Sequence, residues 1–263
     1  MNTSSQKPIR IAVVVIPTYN EMGNIVALID AICGVTRNIG NGWSLKILIV
    51  DGHSTDNTAE CVRSKMEELS HLHLLVEEKK GGIGAAYLEG FTHAIKELHA
   101  DVVFEFDGDF QHPPEMIPVM LQKIDQGYDY IIGSRFVSGG ADLRRGSMVR
   151  RILSSAGGYL ARLILFFPGK YFRLVTDPTS GLRVTRVSGF LDKMDLSIDH
   201  LYSRKFGYKI QLLSETTRLN PRYGEVALLF QDRHAGHSKI EPGTAWEILL
   251  TALKSRMHLV HIS

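Results

Sequence analysis

One stretch of the chain joins a predicted buried strand to two closely spaced carboxylates: Val102-Val103-Phe104-Glu105-Phe106-Asp107-Gly108-Asp109-Phe110-Gln111-His112-Pro113-Pro114-Glu115. Its first half is a β-branched and aromatic run of strand length, typical of a buried parallel strand. Asp107 and Asp109 follow where the strand ends, and the Pro-Pro pair predicts a helix starting at Glu115. Two hard oxygen ligands there suit Mg²⁺ or Mn²⁺ bound between the protein and a diphosphate. An isolated Asp-x-Asp would more often be a solvated turn, but the strand before it and the Gln-His-Pro-Pro-Glu after it make this pattern more specific.

The residues from Asp107 to Glu115 resemble the metal-binding motif of dolichol-phosphate mannose synthases, which belong to the family 2 glycosyltransferases. The resemblance implies an α/β GT-A fold, in which helices flank a central, mostly parallel sheet. It also implies a metal site made by Asp107, Asp109 and Gln111. We expect a disordered N-terminus over residues 1–8, one glycosyltransferase domain over residues 9–240, and an amphipathic C-terminal helix over residues 241–263.

Composition limits the possible classes of protein. The chain has 263 residues, of which 44% are hydrophobic, so one sizeable core is expected. A net charge of +2 is too small to indicate a nucleic-acid partner. The two cysteines lie in predicted helices and indicate no disulfide framework or zinc site, which fits a reducing compartment. No apolar run reaches about 18 residues, so we expect no transmembrane helix and a soluble or peripheral protein. The lipid acceptor that the resemblance implies leads us to expect a peripheral protein on the cytoplasmic face of a membrane.

Strands and helices alternate through the first half of the chain. The predicted strands cover residues 9–16, 45–50, 72–76, 102–106 and 128–133. This alternation predicts a parallel sheet, and polar residues follow the first four strands, at the edge where such sheets bind ligands. Asn20 is the predicted N-cap of a helix running to about Ile32, and Asp56 the predicted cap of the next helix.

Three further segments resemble the nucleotide pocket of the family. Residues 17–21 match its P-x-Y-N-E motif, which implies that Pro17, Tyr19 and Glu21 line the donor site. Residues 50–56 resemble V-D-D-G-S-x-D, so Asp51 corresponds to the acid that reads the nucleobase, whereas Gly52 replaces the second acid. Residues 80–91 resemble K-x-G-x-G-x-A-Y-x-x-G-F, which adds Lys80 and Gly82 to the donor site. From its residues alone, this glycine-rich turn could equally be a tight turn made for helix packing.

Basic residues of the second half match phosphate-binding positions. Residues 133–136 resemble G-[ST]-R-[YF] and residues 150–154 resemble R-K-I-I-S, which implies that Arg135, Arg150 and Ser154 hold an acceptor phosphate. Arg233 and Lys239 match donor-phosphate positions in a loop expected to close over the donor. Without the resemblance, these segments would be interpreted as surface charge and an ordinary amphipathic helix.

The resemblance implies transfer of mannose, with inversion, from GDP-mannose to a dolichyl or polyprenyl monophosphate. Asp107, Asp109 and Arg233 would be the catalytic residues. No general base is needed, because a phosphate monoester is mostly dianionic at neutral pH. Segments 152–167 and 245–260 could contact the membrane, and a small membrane-anchoring partner subunit is possible. The alternatives are another donor such as UDP-glucose or UDP-GlcNAc, a sugar hydroxyl as acceptor, or a non-catalytic nucleotide- or lipid-binding module.

Overall fold

The computed structural model describes residues 8–145, 148–233 and 243–260, with the backbone alone for residues 148–154, 259 and 260. The strands are β1 Arg10–Thr18, β2 Trp43–Asp51, β3 Leu72–Val76, β4 Val102–Glu105, β5 Tyr130–Ser134, β6 Ala141–Asp142, β7 Arg183–Arg186, β8 Tyr223–Ala227 and β9 Leu229–Phe230. The α-helices are α1 Met22–Val35, α2 Thr58–Met66, α3 Ile83–Lys96, α4 Met116–Asp125, α5 Met148–Phe166, α6 Tyr171–Leu174, α7 Tyr208–Arg218 and α8 Thr244–Val260.

The central sheet has seven strands in the order β3-β2-β1-β4-β7-β5-β8. All neighbours are parallel except β7, which runs antiparallel between β4 and β5. The mostly parallel sheet predicted from the sequence is therefore confirmed. The chain builds β1, β2 and β3 in one direction and then places β4 on the other side of β1. That reversal opens a crevice beyond the carboxyl ends of β1 and β4, where sheets of this type bind ligands.

Both faces of the sheet are covered, and β1 shows how. Val14 and Ile16 pack into a core with residues of α1 and α4, whereas Val13 and Val15 pack against α3 on the opposite face. Successive side chains of a strand point to opposite faces, so a strand buried on both sides reads as a continuous apolar run. A Cβ on Gly90 would lie 2.5 Å from the Val15 side chain, so glycine lets α3 approach β1 closely.

The cap predicted for the first helix is wrong. Asn20 does not cap α1; its backbone has a positive φ of 54°, and its side-chain oxygen accepts the N–H of Thr55 at 2.9 Å. The Asp56 carboxylate instead accepts the N–H groups of Met22 and Thr58, the first residues of α1 and α2, at 3.1 Å each. One side chain thus satisfies an otherwise unpaired donor at the start of two helices. The Asp56 cap was predicted for α2, but its action on α1 depends on the tertiary structure.

The C-terminal helix α8 packs on the body of the protein. Ile248, Leu249 and Ala252 join a core that includes Leu165 of α5 and Leu213 of α7. The Arg256 guanidinium donates to the backbone oxygen of Leu165 at 3.1 Å, near the end of α5. Across the three described ranges, no helix combines the length and the apolar character needed to cross a bilayer.

Candidate functional site

The two carboxylates lie just past β4, at the crevice. Asp109 is buried, and its Oδ2 lies 3.0 Å from the Arg233 guanidinium. Asp107 Oδ1 accepts a hydrogen bond from the Tyr87 hydroxyl at 3.3 Å and lies 3.8 Å from the Lys209 ammonium. The predicted pair and the predicted Arg233 therefore meet at one place, together with Lys209.

The two carboxylates titrate in opposite directions. Burial, followed by the negative charge of Asp107, raises the pKa of Asp109. Burial also acts to raise the pKa of Asp107, but the positive charge of Lys209, followed by His112, lowers it overall. A metal cation placed between the carboxylates, in addition to Lys209 and Arg233, would relieve the repulsion that raises the Asp109 pKa. The electrostatics therefore favour binding of a positive ion.

The donor set fits a hard divalent cation. The backbone N–H of Gln111 donates to Asp109 Oδ1 at 3.0 Å, and its side-chain amide donates to the backbone oxygen of Gln231 at 3.2 Å, which holds Gln111 beside the pair. Within residues 8–145, 148–233 and 243–260, no group of three or more His, Cys, Asp or Glu side chains could hold a metal. Two carboxylates leave most coordination positions to water and substrate oxygens, as Mg²⁺ prefers. Asp107, Asp109 and Gln111 thus suit a metal shared with a diphosphate.

His112 has a structural role. Its Nδ1 accepts the backbone N–H of Asp107 at 3.0 Å, its ring packs edge-on against Phe106, and it has no exposed surface. Burial lowers the pKa of His112 to about 4, so the ring is neutral at pH 7. The imidazole fixes the turn that carries Asp107 and is not available as a general base.

The loops after β1 and β2 are joined by hydrogen bonds. The Thr18 hydroxyl donates to Asp51 Oδ1 at 2.9 Å, the Asn20 N–H donates to the Ser54 hydroxyl at 2.8 Å, and the Glu21 N–H donates to the Thr58 hydroxyl at 3.0 Å. The segment that includes the predicted donor residues Pro17, Tyr19 and Glu21 is thereby held against the β2 loop.

Asp51 is turned inward. It is only 1% exposed, and its carboxylate accepts three hydrogen bonds: from the Thr18 hydroxyl, from the Ser54 hydroxyl at 2.6 Å and from the Ser54 N–H at 2.8 Å. A carboxylate offers about four acceptor positions, so few remain for a ligand. The nucleobase-reading role expected of Asp51 remains a prediction, and its visible role is to hold the two loops together.

Lys80 and Gly82 lie at the same crevice. The Lys80 ammonium sits 3.4 Å from the centre of the Tyr19 ring, which brings together two predicted donor residues. Gly82 has φ +98°, and a Cβ there would lie 2.6 Å from the backbone oxygen of Arg204. This close approach requires glycine at position 82, independently of any contact between Gly82 and a donor.

Arg135 is engaged by a carboxylate. Its guanidinium makes two hydrogen bonds of 2.7 Å to Asp177, which is fully buried, and a third of 3.0 Å to the Thr179 hydroxyl. This bidentate pair fixes the loop before β7 against the end of β5. The side chains of Arg150 and Ser154 are not described, and Lys239 lies outside the described residues. Acceptor-phosphate binding by Arg135, Arg150 and Ser154 therefore remains a prediction.

Comparison with known families resolves what kind of protein carries this crevice. Residues 13–188, which include Asp107, Asp109 and both joined loops, match the model described as "Glycosyl transferase family 2". The chain belongs to this family. It is a glycosyltransferase of GT-A fold.

Two curated relatives of this family 2 glycosyltransferase are matched over most of their length. It is 30% identical over 240 residues to an undecaprenyl-phosphate mannosyltransferase of Micrococcus luteus, covering 91% of each chain. It is also 30% identical to a polyprenol monophosphomannose synthase of Mycolicibacterium smegmatis, over 89% of this chain and 82% of that one. Among solved structures, glucosyl-3-phosphoglycerate synthase of Mycobacterium tuberculosis, in complex with Mn²⁺, UDP and phosphoglyceric acid, is similar with a TM-score of 0.63 and 19% identity, over 94% of this chain and 78% of that one.

Lys209 is not among the residues of this glycosyltransferase that the sequence predicts for the site. Lys209 is buried in the first turn of α7, where it is followed by the mostly apolar run from Ile210 to Leu213. A lysine in such a run is a usable signal, because buried lysines are rare unless paired. Nothing in the sequence shows that its partner is Asp107, which lies on β4's distant loop.

Proposed function

We propose that this glycosyltransferase transfers mannose, with inversion, from GDP-mannose to a dolichyl or polyprenyl monophosphate at a membrane surface. The observation that carries the proposal is the meeting of Asp107, Asp109 and Arg233 at the crevice between β1 and β4. The donor sugar and the lipid acceptor are supported by the two relatives, whose names state mannosyl transfer to undecaprenyl phosphate and polyprenol monophosphomannose synthesis.

Asp107, Asp109 and Gln111 would hold Mg²⁺ or Mn²⁺. When bound, the metal supplies positive charge that stabilises the departing diphosphate. Arg233, already at Asp109, and Lys239 would add positive charge from the loop side. The similar solved structure contains Mn²⁺ with UDP, which is a precedent for a metal–diphosphate pair in this fold.

The acceptor chemistry explains the lack of a base in this proposal. A phosphate monoester has a second pKa near 6, so its oxygen is already a charged nucleophile at pH 7. Arg135, Arg150 and Ser154 would orient it. His112, the histidine adjacent to the carboxylates, is neutral, buried and committed to the Asp107 backbone.

The lipid acceptor requires contact with a membrane, and two packed helices offer an apolar face. Both α5 and α8 leave large apolar side chains exposed: Tyr159, Leu160, Leu163, Trp246, Leu250, Leu253 and Met257, with Phe167 just after α5. At the end of segment 152–167, Phe167 is 54% exposed, whereas Leu165 and Phe166 are buried, so of these three residues only Phe167 can contact a membrane. Apolar residues beside basic ones suit an anionic leaflet, which supports peripheral binding on the cytoplasmic face. A small anchoring subunit could cover part of the same face.

A donor–acceptor screen tests the proposal. The purified chain is incubated with labelled GDP-mannose, UDP-glucose or UDP-GlcNAc and a short polyprenyl phosphate, with Mn²⁺ or with EDTA. We expect product from GDP-mannose alone, and only with the metal. Product from a UDP-sugar would establish the other donor class. Transfer to a sugar hydroxyl instead of the lipid phosphate would establish the other acceptor class, and absence of all transfer would support a binding module.

A further inference from the structure

Glu77 is a buried carboxylate that the family motifs do not account for. It directly follows β3 and is 4% exposed. Its backbone N–H donates to the backbone oxygen of Asp51 at 2.9 Å, which fixes it beside the β2 loop. Among the described residues, its Oε1 atom is buried without a hydrogen-bond partner. A buried, unsatisfied carboxylate oxygen is costly unless a ligand pairs with it.

The carboxyl group lies between two glycines of the donor crevice. A Cβ on Gly52 would lie 3.0 Å from Glu77 Oε2 and 3.8 Å from the Tyr19 ring. A Cβ on Gly81, on the other side, would lie 2.9 Å from Glu77 Oε1. The absence of side chains at both positions leaves room for the carboxylate beside the ring of Tyr19, a predicted donor-site residue that could cover a base or a ribose.

This position coincides with a departure from the family motif. Gly52 stands where V-D-D-G-S-x-D has its second acid, and Glu77 Oε2 occupies the space next to that missing side chain. Asp51, the first acid, already accepts three hydrogen bonds from Thr18 and Ser54. In the described part of this pocket, the carboxylate with an unoccupied acceptor oxygen therefore lies at the end of β3 and not in the β2 loop.

We propose that Glu77, rather than Asp51, selects the nucleobase of the donor, and that it selects guanine by accepting its N1–H and exocyclic amino hydrogens. This inference rests on the proposed use of a nucleotide-sugar donor. Guanine presents two adjacent donors, which match the two oxygens of a carboxylate. Uracil presents one N–H between two carbonyl oxygens. A carbonyl oxygen facing the carboxylate would repel it, because both groups are acceptors. A site built to pair with a donor rejects an analogue that lacks it, because its own polar group is then left unpaired.

The electrostatics agree with an acceptor that awaits a partner. Burial, followed by the charge of Glu89, raises the pKa of Glu77 to about 7, although the nearby Gly81 N–H and Lys80 oppose the rise. Donors supplied by a bound base would favour the ionised form.

Titration calorimetry with GDP and UDP in the presence of Mn²⁺ tests the proposal. The wild-type protein should bind GDP at least about 10-fold more tightly than UDP, and Glu77→Gln should weaken GDP binding about 10- to 100-fold while leaving UDP nearly unchanged. Glu77→Asp, which keeps the charge, should retain part of the preference. Glu78→Gln is the matched control, because Glu78 is the exposed neighbour of the same type.

An unchanged GDP/UDP ratio in folded Glu77→Gln, or a wild-type preference for UDP, would overturn the assignment. The transfer assay separates this result from the proposed function. Mannosyl transfer to polyprenyl phosphate by a protein whose base preference ignores Glu77 defeats only the role of Glu77. Guanine selectivity that depends on Glu77 in a protein that transfers nothing to the lipid defeats only the proposed reaction.

Discussion

The ammonium group of Lys209 lies 3.8 Å from the Asp107 carboxylate, and Lys209 is almost completely buried. The positive charge of Lys209 lowers the pKa of Asp107 and so keeps this carboxylate ionised in spite of its burial. A carboxylate that stays ionised at neutral pH is the form that a metal requires. Lys209 of α7 therefore favours the ionised form of Asp107, which the proposed metal site needs.

Lys209→Met should reduce metal-dependent turnover. Without the cation, Asp107 takes up a proton more readily, so the Mn²⁺ concentration for half-maximal activity should rise by about 10-fold or more, on the scale of a lost charge-assisted interaction. Metal titration of the initial rate measures this. Lys205→Met, an exposed lysine three residues before α7, is the control. An identical metal dependence in both variants would show that Lys209 does not act on Asp107.

Replacing either carboxylate should abolish most of the activity. Asp107→Ala or Asp109→Ala should lower kcat by at least about 10²-fold, the scale of losing a major electrostatic contribution to the transition state. Steady-state rates at saturating donor and acceptor provide the measurement, with a thermal melt to confirm folding. Full turnover of Asp109→Ala in EDTA contradicts a catalytic metal.

Arg150→Ala should affect the acceptor and not the donor. We expect a higher KM for polyprenyl phosphate with nearly unchanged GDP affinity, because the resemblance assigns Arg150 to the acceptor phosphate. Arg151→Ala, the neighbouring arginine without such an assignment, is the control. Equal losses for lipid and GDP would move Arg150 to the donor site or to the fold.

Membrane binding should depend on the exposed face of α5 and α8. Phe167→Ser combined with Trp246→Ser, two side chains that are 54% and 67% exposed, should reduce flotation with anionic liposomes, and added salt should weaken the wild type as well. Val119→Ser on α4 controls for the loss of an exposed apolar side chain elsewhere. Binding that survives the double substitution and ignores salt would exclude this face.

Glu77→Gln should stabilise the free protein at alkaline pH. Folding raises the pKa of Glu77 from 4.5 to about 7, so the folded state holds its proton longer than the unfolded chain. The carboxylate therefore costs stability increasingly as pH rises from 4.5 to about 7. Removing the charge should raise the free energy of unfolding by on the order of 2 kcal/mol at pH 8 and by much less at pH 4.5. Denaturant unfolding at the two pH values tests this, and a variant less stable than wild type at pH 8 would show that the carboxylate is a structural anchor.

The amino-acid sequence alone determined the alternation of strands and helices, because continuous apolar runs such as Val13–Ile16 and Val102–Phe104 must be buried on both faces of a sheet. It also located Asp107 and Asp109, since their placement depends only on where β4 ends. The short strand β7, with the polar sequence Arg-Val-Thr-Arg, carries no such apolar run and was not predicted. Its position between β4 and β5 depends on backbone pairing with both neighbours.

Only the tertiary structure decided the surroundings of the carboxylates and of the proposed base pocket. Lys209 meets Asp107, Asp56 caps α1, and Glu77 fills the space beside Gly52, although none of these pairs is close in sequence. Propensity and periodicity report which side chains a segment buries, but they contain no information about which distant segment lies opposite. The side chain that faces a buried charge is set by the packing of whole elements on the sheet, and this is why Asp51 could be located from the sequence while its three internal hydrogen bonds could not be foreseen.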